Sequence, residues 1–230
     1  MTNYHDEIDN IKLIRNGLMH LECELLQDDP SWHRIAREAH LVLYRSMIEA
    51  LRSTDNIAIT GKKSKNRVHV YKIGVKPWKK IEKISVDGCE NAWKFSIPES
   101  FEPENDTHTT ESLSDDRLMD DFLVPFYDAL AMIQAENFME TLVHSKKVAV
   151  SDEDMQKLEL LHESVRNPYE HFVPCTRLTP KRLLCSVAKL CISLSRELLF
   201  ESGNVHFYIE TEKEDIANFI NQISSKLECN

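Results

Sequence analysis

The chain has few residues that break regular structure, and it lacks the patterns that carry the commonest enzyme chemistries. Of 230 residues only 5 are glycine and 8 are proline, which favours a largely helical chain over a turn-rich sandwich or barrel. The sequence contains no Gly-rich phosphate loop, no dinucleotide fingerprint, no Gly-x-Ser-x-Gly elbow and no His-Glu-x-x-His motif. These absences exclude the commonest kinase, dehydrogenase, serine hydrolase and metalloprotease classes.

Paired cysteines and long apolar runs are also absent. The six cysteines form no Cys-x-x-Cys pair, and Cys185 and Cys191 lie among Leu, Val and Ile. We therefore predict reduced core thiols rather than a disulfide framework or a zinc site. No apolar run approaches the length that spans a bilayer, and residues 1–7 lack the basic and apolar regions of a signal peptide. We expect a cytoplasmic protein that does not bind a membrane.

Charge is unevenly distributed along the chain. The net charge of -10 argues mildly against a protein that coats nucleic acid. However, nine Lys or Arg and one acid fall between Lys62 and Lys83, whereas nine acids and one base fall between Glu99 and Asp121. With Tyr71 and Trp78 interleaved, the basic segment has the composition of an RNA-contacting surface, although the solvated face of a sheet often has it too.

The spacing of apolar residues predicts helices over most of the chain. The first is expected over Ile8–Leu26, and the second, over Trp32–Leu51, is apolar on so much of its circumference that we expect it to be central. Further helices are predicted to begin near Leu118, at Ser151, after the cap Thr179-Pro180, and at the capping box Thr211-x-x-Glu214.

Two regions depart from helical spacing. Short β-branched runs with turn residues between them predict a small antiparallel β insertion at about 57–98, and Val205–Ile209 predicts a further strand. Residues 99–116 are acidic with little apolar content, which is typical of a solvated loop. The fold class expected is therefore mainly α: one domain, residues 1–230, built as a bundle of about six helices with a β insertion.

The short stretch Arg166-Asn167-Pro168-Tyr169-Glu170-His171 brings a guanidinium, an amide and an imidazole together within six residues. Arginine binds phosphate through a planar fork of donors, and histidine exchanges protons near neutral pH. On one continuous helix, residues five apart point about 140 degrees away from each other. Pro168 disfavours helix at Asn167 and can begin a new helical turn, so a break there would let Arg166 and His171 face one cleft.

These residues resemble the motif of the HEPN domains, which is Arg, a polar residue that is often Asn, three variable residues and His. HEPN domains are helical bundles that often pair as homodimers, and many are metal-independent ribonucleases of prokaryotic toxin-antitoxin, phage-defence and RNA-targeting systems. The resemblance implies that His171 acts on the ribose 2'-hydroxyl as general base or aligning group. It also implies that Arg166 holds the phosphate and that Asn167 orients the pair or contacts the backbone.

From this resemblance we expect RNA as the substrate, a homodimer, no metal or other cofactor, and an antitoxin or other protein as a further partner. In a homodimer, two copies of the motif would line one cleft and give an acidic protein a locally basic groove. Arg177, Lys181 and Arg182 follow the motif closely. They are candidates for contacts with the phosphates of the substrate.

Alternatives remain open. Arg166 could pair with Glu163 or Glu170 while His171 makes a hydrogen bond at a helix junction, which would describe a non-catalytic helical interaction protein. The same motif pattern also occurs at Arg15-Asn16-Gly17-Leu18-Met19-His20, but inside an uninterrupted amphipathic helix, where we expect it to be structural.

A third interpretation is a metal-dependent helical-bundle enzyme. Glu136, Glu140 and His144 are spaced by four residues, and Glu159 with His162 repeats an acid-to-His spacing found in carboxylate metal sites. Solvated helix faces carry such pairs more often than metal sites do.

Overall fold

A computed structural model of the chain describes residues 9–52, 60–63, 69–71, 79–86, 89–96, 122–166 and 179–228, with side chains described for 9–52, 123–163, 165 and 179–228. This part of the chain is mainly helical, as the sequence predicts. Within it, no helix has both the length and the apolar content that a bilayer crossing requires.

The helices differ widely in length, and two of them continue into π-helical segments. The described helices are α1 (Asn10–Leu25), α2 (Trp32–Leu51), α3 (Phe126–Met132), α4 (Glu136–Met139), α5 (Asp152–Leu160), α6 (Lys181–Arg196) and α7 (Glu210–Glu228). The π-helical segments are Leu161–Arg166 after α5 and Glu197–Glu201 after α6.

Short strands lie between α2 and α3 in the sequence. They are β1 (Thr60–Lys63), β2 (His69–Tyr71), β3 (Lys79–Val86), β4 (Cys89–Ser96) and β5 (Phe122–Leu123). Strand β1 pairs antiparallel with β2 and β5, and β3 pairs antiparallel with β4. Much of 57–98 and all of 99–116 lie outside the described residues, so the insertion as a unit and the acidic loop remain predictions.

Helix α2 is the centre of the bundle. Twelve of its twenty residues are buried, and it packs against α1, α3, α6 and the π-helical segment after α5. Its neighbour α1 buries Ile14, Leu18 and Leu21. A Cβ atom built on Gly17 would lie 2.9 Å from Val42 Cγ2, so the glycine allows α1 and α2 to approach closely. The first two helices and their inner faces are confirmed.

The predicted start of the third helix is wrong. We expected helix from Leu118, which lies outside the described residues, but Phe122–Leu123 forms β5 and the helix begins only at Phe126. Pro125 explains the late start, because its ring disfavours helical backbone at Val124 and it has no N–H to donate. It occupies the position before the first helical residue instead.

The last predicted strand and capping box are also wrong. Val205–Ile209 is not a strand: Phe207 stacks on Phe200 with ring centroids 5.5 Å apart, so its apolar residues pack as a loop. Helix α7 begins at Glu210, which puts Thr211 inside the helix rather than at its cap. The helix itself is confirmed, and it buries Ile216, Ile220, Ile223 and Leu227.

The predicted cap of α5 is confirmed, but Thr179 is not the cap of α6, whose N-cap position is occupied by Pro180. The Ser151 hydroxyl accepts a hydrogen bond from the Asp154 amide at 3.2 Å, as an N-cap does. Pro180 precedes the first residue of α6 rather than occupying it. After its π-helical segment α6 stops at Gly203, where φ is 74 degrees and a Cβ atom would lie 2.8 Å from the His144 carbonyl oxygen. Glycine tolerates this left-handed backbone, and other residues are strained in it.

Two of the cysteines are core thiols. Cys185 and Cys191 are free and buried, and burial raises the pKa of both thiols. Their prediction as reduced core residues is confirmed. Cys23 is free but exposed, so the prediction is wrong for that residue. The side chains of Cys89, Cys175 and Cys229 are outside the described part.

Candidate functional site

The described helical backbone after α5 reaches Arg166, the first residue of the predicted motif. Its side chain is not described, and Asn167, His171 and Arg177 lie outside the described residues. The next described helix begins at Lys181. The convergence of Arg166 and His171 in one cleft therefore stays a prediction.

Lys181 and Arg182, the described candidates for phosphate contacts, are both exposed in the first turn of α6. Lys181 Nζ lies 4.7 Å from the centroid of the Trp32 ring at the start of α2, a cation–π distance. Lys181 and Trp32 line an open pocket of about 390 Å³ together with His33, Thr179 and Asp29, and Arg182 is not among its lining residues. Lys181 is thus held at the surface, with its charge accessible to solvent.

A partly buried pair of histidines lies one helical turn before Arg166. His40 of α2 is 1% exposed, and its Nε2 atom is 3.0 Å from Nδ1 of His162 in the π-helical segment. Phe126 of α3 stacks on both imidazoles, with ring centroids 4.2 Å from His40 and 5.0 Å from His162. One ring nitrogen must donate and the other accept, so at least one imidazole in this pair is neutral.

Tyr127 and two glutamates extend this arrangement. The Tyr127 ring contacts His162 edge-on at 4.7 Å, and its hydroxyl donates to Glu163 Oε1 at 3.3 Å. Burial, together with the charges of Glu163 and Glu159, raises the pKa of Tyr127, so the phenol stays protonated. We call the six residues the histidine cluster; they are His40, Phe126, Tyr127, Glu159, His162 and Glu163.

Sequence reasoning missed most of this cluster. The spacing of Glu159 and His162 was noted only as a metal-site pattern, and His40 was not noted, because the two histidines are 122 residues apart in the sequence. The available signal was a histidine inside the otherwise apolar row that Ala36, Leu43 and Met47 form on α2. Most histidines in such a position are hydrogen-bonded inside the core.

The predicted metal-binding face does not exist as a helical face. Helix α4 ends at Met139, so Glu140 and His144 do not continue the face of Glu136. Glu136 instead pairs with Lys147, whose Nζ donates at 2.7 Å and whose hydrogen bond lowers the pKa of Glu136. Across the described side chains, no group of three or more His, Cys, Asp or Glu could hold a metal ion.

The first copy of the motif pattern is structural, as expected. Arg15 and His20 lie in the unbroken helix α1. The Arg15 guanidinium pairs with Asp215 at 2.8 Å and so links α1 to α7. His20 is exposed on the surface.

Burial of Asp128, which follows Tyr127 on α3, predicts a pH dependence of stability. Burial raises the pKa of Asp128 from 3.8 to about 7. Between these pH values the folded chain keeps a proton that the unfolded chain releases, so this group lowers stability as pH rises through the window. The Asp128→Asn variant should gain stability relative to the unchanged chain between pH ~4 and ~7, with no further gain at higher pH. Urea unfolding at several pH values measures this, and a stability difference that does not change with pH would contradict it.

Comparison of the whole chain with models of known protein families, with curated proteins and with solved structures found no match. The resemblance to HEPN domains therefore rests on the six-residue motif and on its helical context.

Proposed function

We propose that the protein is a HEPN-like, metal-independent endoribonuclease or RNA-binding protein of a prokaryotic toxin-antitoxin or phage-defence system. The observation that carries this proposal is the Arg166-Asn167-x-x-x-His171 motif, whose first residue ends a π-helical segment in a mainly helical chain. Such π-helical insertions recur at functional sites. The proposed place of action is the cytoplasm.

In the proposed reaction His171 takes the proton of a ribose 2'-hydroxyl, whose oxygen attacks the adjacent phosphorus. The bond from phosphorus to the 5'-oxygen of the next nucleotide breaks, and this oxygen gains a proton from solvent or from an acid in the site. Arg166 stabilises the negative charge that develops on the phosphate, and Asn167 orients the pair. The products are a 2',3'-cyclic phosphate and a 5'-hydroxyl end.

The proposed binding surface continues from the motif to the start of α6. Lys181 and Arg182 are exposed there, and Arg177 precedes them in the sequence. These cations would neutralise phosphates of the RNA despite the net charge of -10. In the proposed homodimer, two motifs line one cleft and concentrate this positive charge. An antitoxin or other partner protein would bind the same bundle.

Analysis of cleavage products tests the proposed chemistry. The full chain is incubated with single-stranded RNA in excess EDTA, beside a substrate with one 2'-deoxy nucleotide at the cleaved position. We expect cleavage to continue in chelator, with cyclic-phosphate ends, and to stop at the deoxy position because the nucleophile is missing. Cleavage that requires added metal ion, or that proceeds at the deoxy position, would refute the mechanism.

A second candidate function is that of a helical interaction protein without catalysis. Four large apolar side chains, Leu142, Val143, Tyr208 and Ile209, are exposed on the loops that precede α5 and α7. Exposed apolar surface often marks contact with another protein. A chain that neither binds nor cleaves RNA in the assay above would favour this function.

A further inference from the structure

The hydrogen bond between His40 and His162 joins α2 to the segment that carries the proposed phosphate-binding arginine. His162 lies in the π-helical segment Leu161–Arg166, four residues before Arg166. Its other described contacts are aromatic rings, from Phe126 and Tyr127 of α3. The segment packs on α2, and the 3.0 Å bond to His40 is its described side-chain hydrogen bond to that helix.

This bond depends on the protonation state of both imidazole rings. It forms between two neutral imidazoles, or between one neutral ring and one charged ring, because either arrangement leaves one lone pair to accept. It cannot form when both rings carry a second proton. Two N–H groups, each on a charged ring, would then face each other in a partly buried site, where water screens the repulsion less than in free solution.

The elements packed against the pair carry several charged or titratable groups. Among described side chains they are Glu159 at the end of α5, Glu163 in the π-helical segment, Tyr127 and Asp128 on α3, and Arg37 one turn away on α2. A first proton on the pair still leaves one ring nitrogen to accept, so the bond stays intact. The second proton removes the acceptor and breaks it.

We propose that the His40–His162 pair is a pH-sensitive latch that holds the segment Leu161–Arg166 on α2, and that protonation of both rings releases the segment. Imidazoles released into solvent take up protons near pH ~6.5, so lowering the pH below this value favours the released segment over the closed one. The consequence for RNA rests on the proposed function: a released segment no longer places Arg166 against the phosphate, and cleavage stops.

Hydrogen exchange of the amides of residues 161–166 tests the latch without RNA. Exchange is measured at about pH 7.5 and about pH 5 and corrected for the intrinsic rate at each pH. In the unchanged chain we expect protection of this segment to fall about tenfold or more in acid, because local opening becomes easier.

In the His40→Gln/His162→Asn variant we expect the same protection at both pH values. The Gln amide reaches the position of Nε2 and the Asn amide that of Nδ1, so the pair keeps a hydrogen bond that cannot be protonated twice.

The His20→Gln variant is the matched control, because it removes an exposed histidine of α1. Its amide protection at residues 161–166 should fall in acid as it does in the unchanged chain. Equal protection at both pH values in the unchanged chain, or an undiminished fall in the double variant, would overturn the proposal. If the double variant does not fold, the test uses nitrogen NMR spectra of the imidazole rings in the unchanged chain. These spectra follow the protonation of His40 and His162 as the pH is lowered. Loss of amide protection that accompanies protonation of the second ring supports the latch. Amide protection that persists when both rings are charged overturns it.

RNA cleavage by the unchanged chain at the same two pH values separates this inference from the proposed function. If residues 161–166 lose amide protection in acid but the chain never cleaves RNA, the latch is supported and the ribonuclease is not. Cleavage with the expected ends and no acid-induced exchange would support the ribonuclease and overturn the latch.

Discussion

Single-stranded RNA in excess chelator should be cleaved about 10²–10⁴-fold more slowly by the His171→Ala variant than by the unchanged chain. The imidazole is the group that removes the proton of the 2'-hydroxyl in the proposed mechanism, and alanine cannot replace it. The cleavage rate of the Arg166→Ala variant should be about 10²–10³-fold lower than that of the unchanged chain, because the negative charge of the transition state loses its nearest donor. Initial rates at saturating RNA measure both losses.

The chain supplies its own controls for this experiment. His20→Ala and Arg15→Ala change the same residue types in the other copy of the motif pattern, inside the unbroken helix α1. His20 is exposed, and the ion pair of Arg15 with Asp215 is partly solvated, so little stability should be lost. Both variants should keep the full cleavage rate. Equal rates for the unchanged chain and His171→Ala would exclude the motif as the catalytic site.

The Leu43→Ala variant is expected to lower the free energy of unfolding by about 2–5 kcal/mol. Leu43 is 0% exposed on α2, the helix against which α1, α3 and α6 pack. Truncation leaves a cavity that its neighbours cannot fill without moving, so the loss includes contacts as well as transfer free energy. Urea-induced unfolding followed by circular dichroism measures the difference.

The control for this substitution is Leu26→Ala, the same change at a leucine that is 64% exposed at the end of α1. It should alter the free energy of unfolding by no more than about 0.5 kcal/mol, as surface substitutions usually do. Similar losses in the two variants would contradict the central position of α2.

The first two helices could be predicted from local sequence alone. Apolar residues at steps of three and four define the buried stripe of α1 and the wider buried surface of α2, and the break at Asp28-Asp29-Pro30 separates them. The Ser151 cap of α5 was predictable for the same reason, because its hydrogen bond joins residues three apart. Such signals need no knowledge of the rest of the chain.

Predicted helix boundaries were wrong where the apolar spacing competed with a proline, with strand pairing or with an early end of the helix. Apolar residues around Phe122 have helical spacing, but Pro125 delays the helix, and the strand pairing of Phe122 with Gly61 depends on a residue 61 positions earlier. Glu136, Glu140 and His144 have the spacing of one helical face, yet α4 ends after four residues. Periodicity alone does not reveal where a helix stops.

The sequence by itself determined the helical class, the two long N-terminal helices and the motif Arg166-Asn167-x-x-x-His171, because each depends on residues that are close together in the chain. Only the tertiary structure showed that His40 and His162 share a partly buried hydrogen bond one turn before that motif. This pairing follows from the packing of the π-helical segment on α2 and α3, and the spacing of residues along the sequence does not encode such long-range contacts.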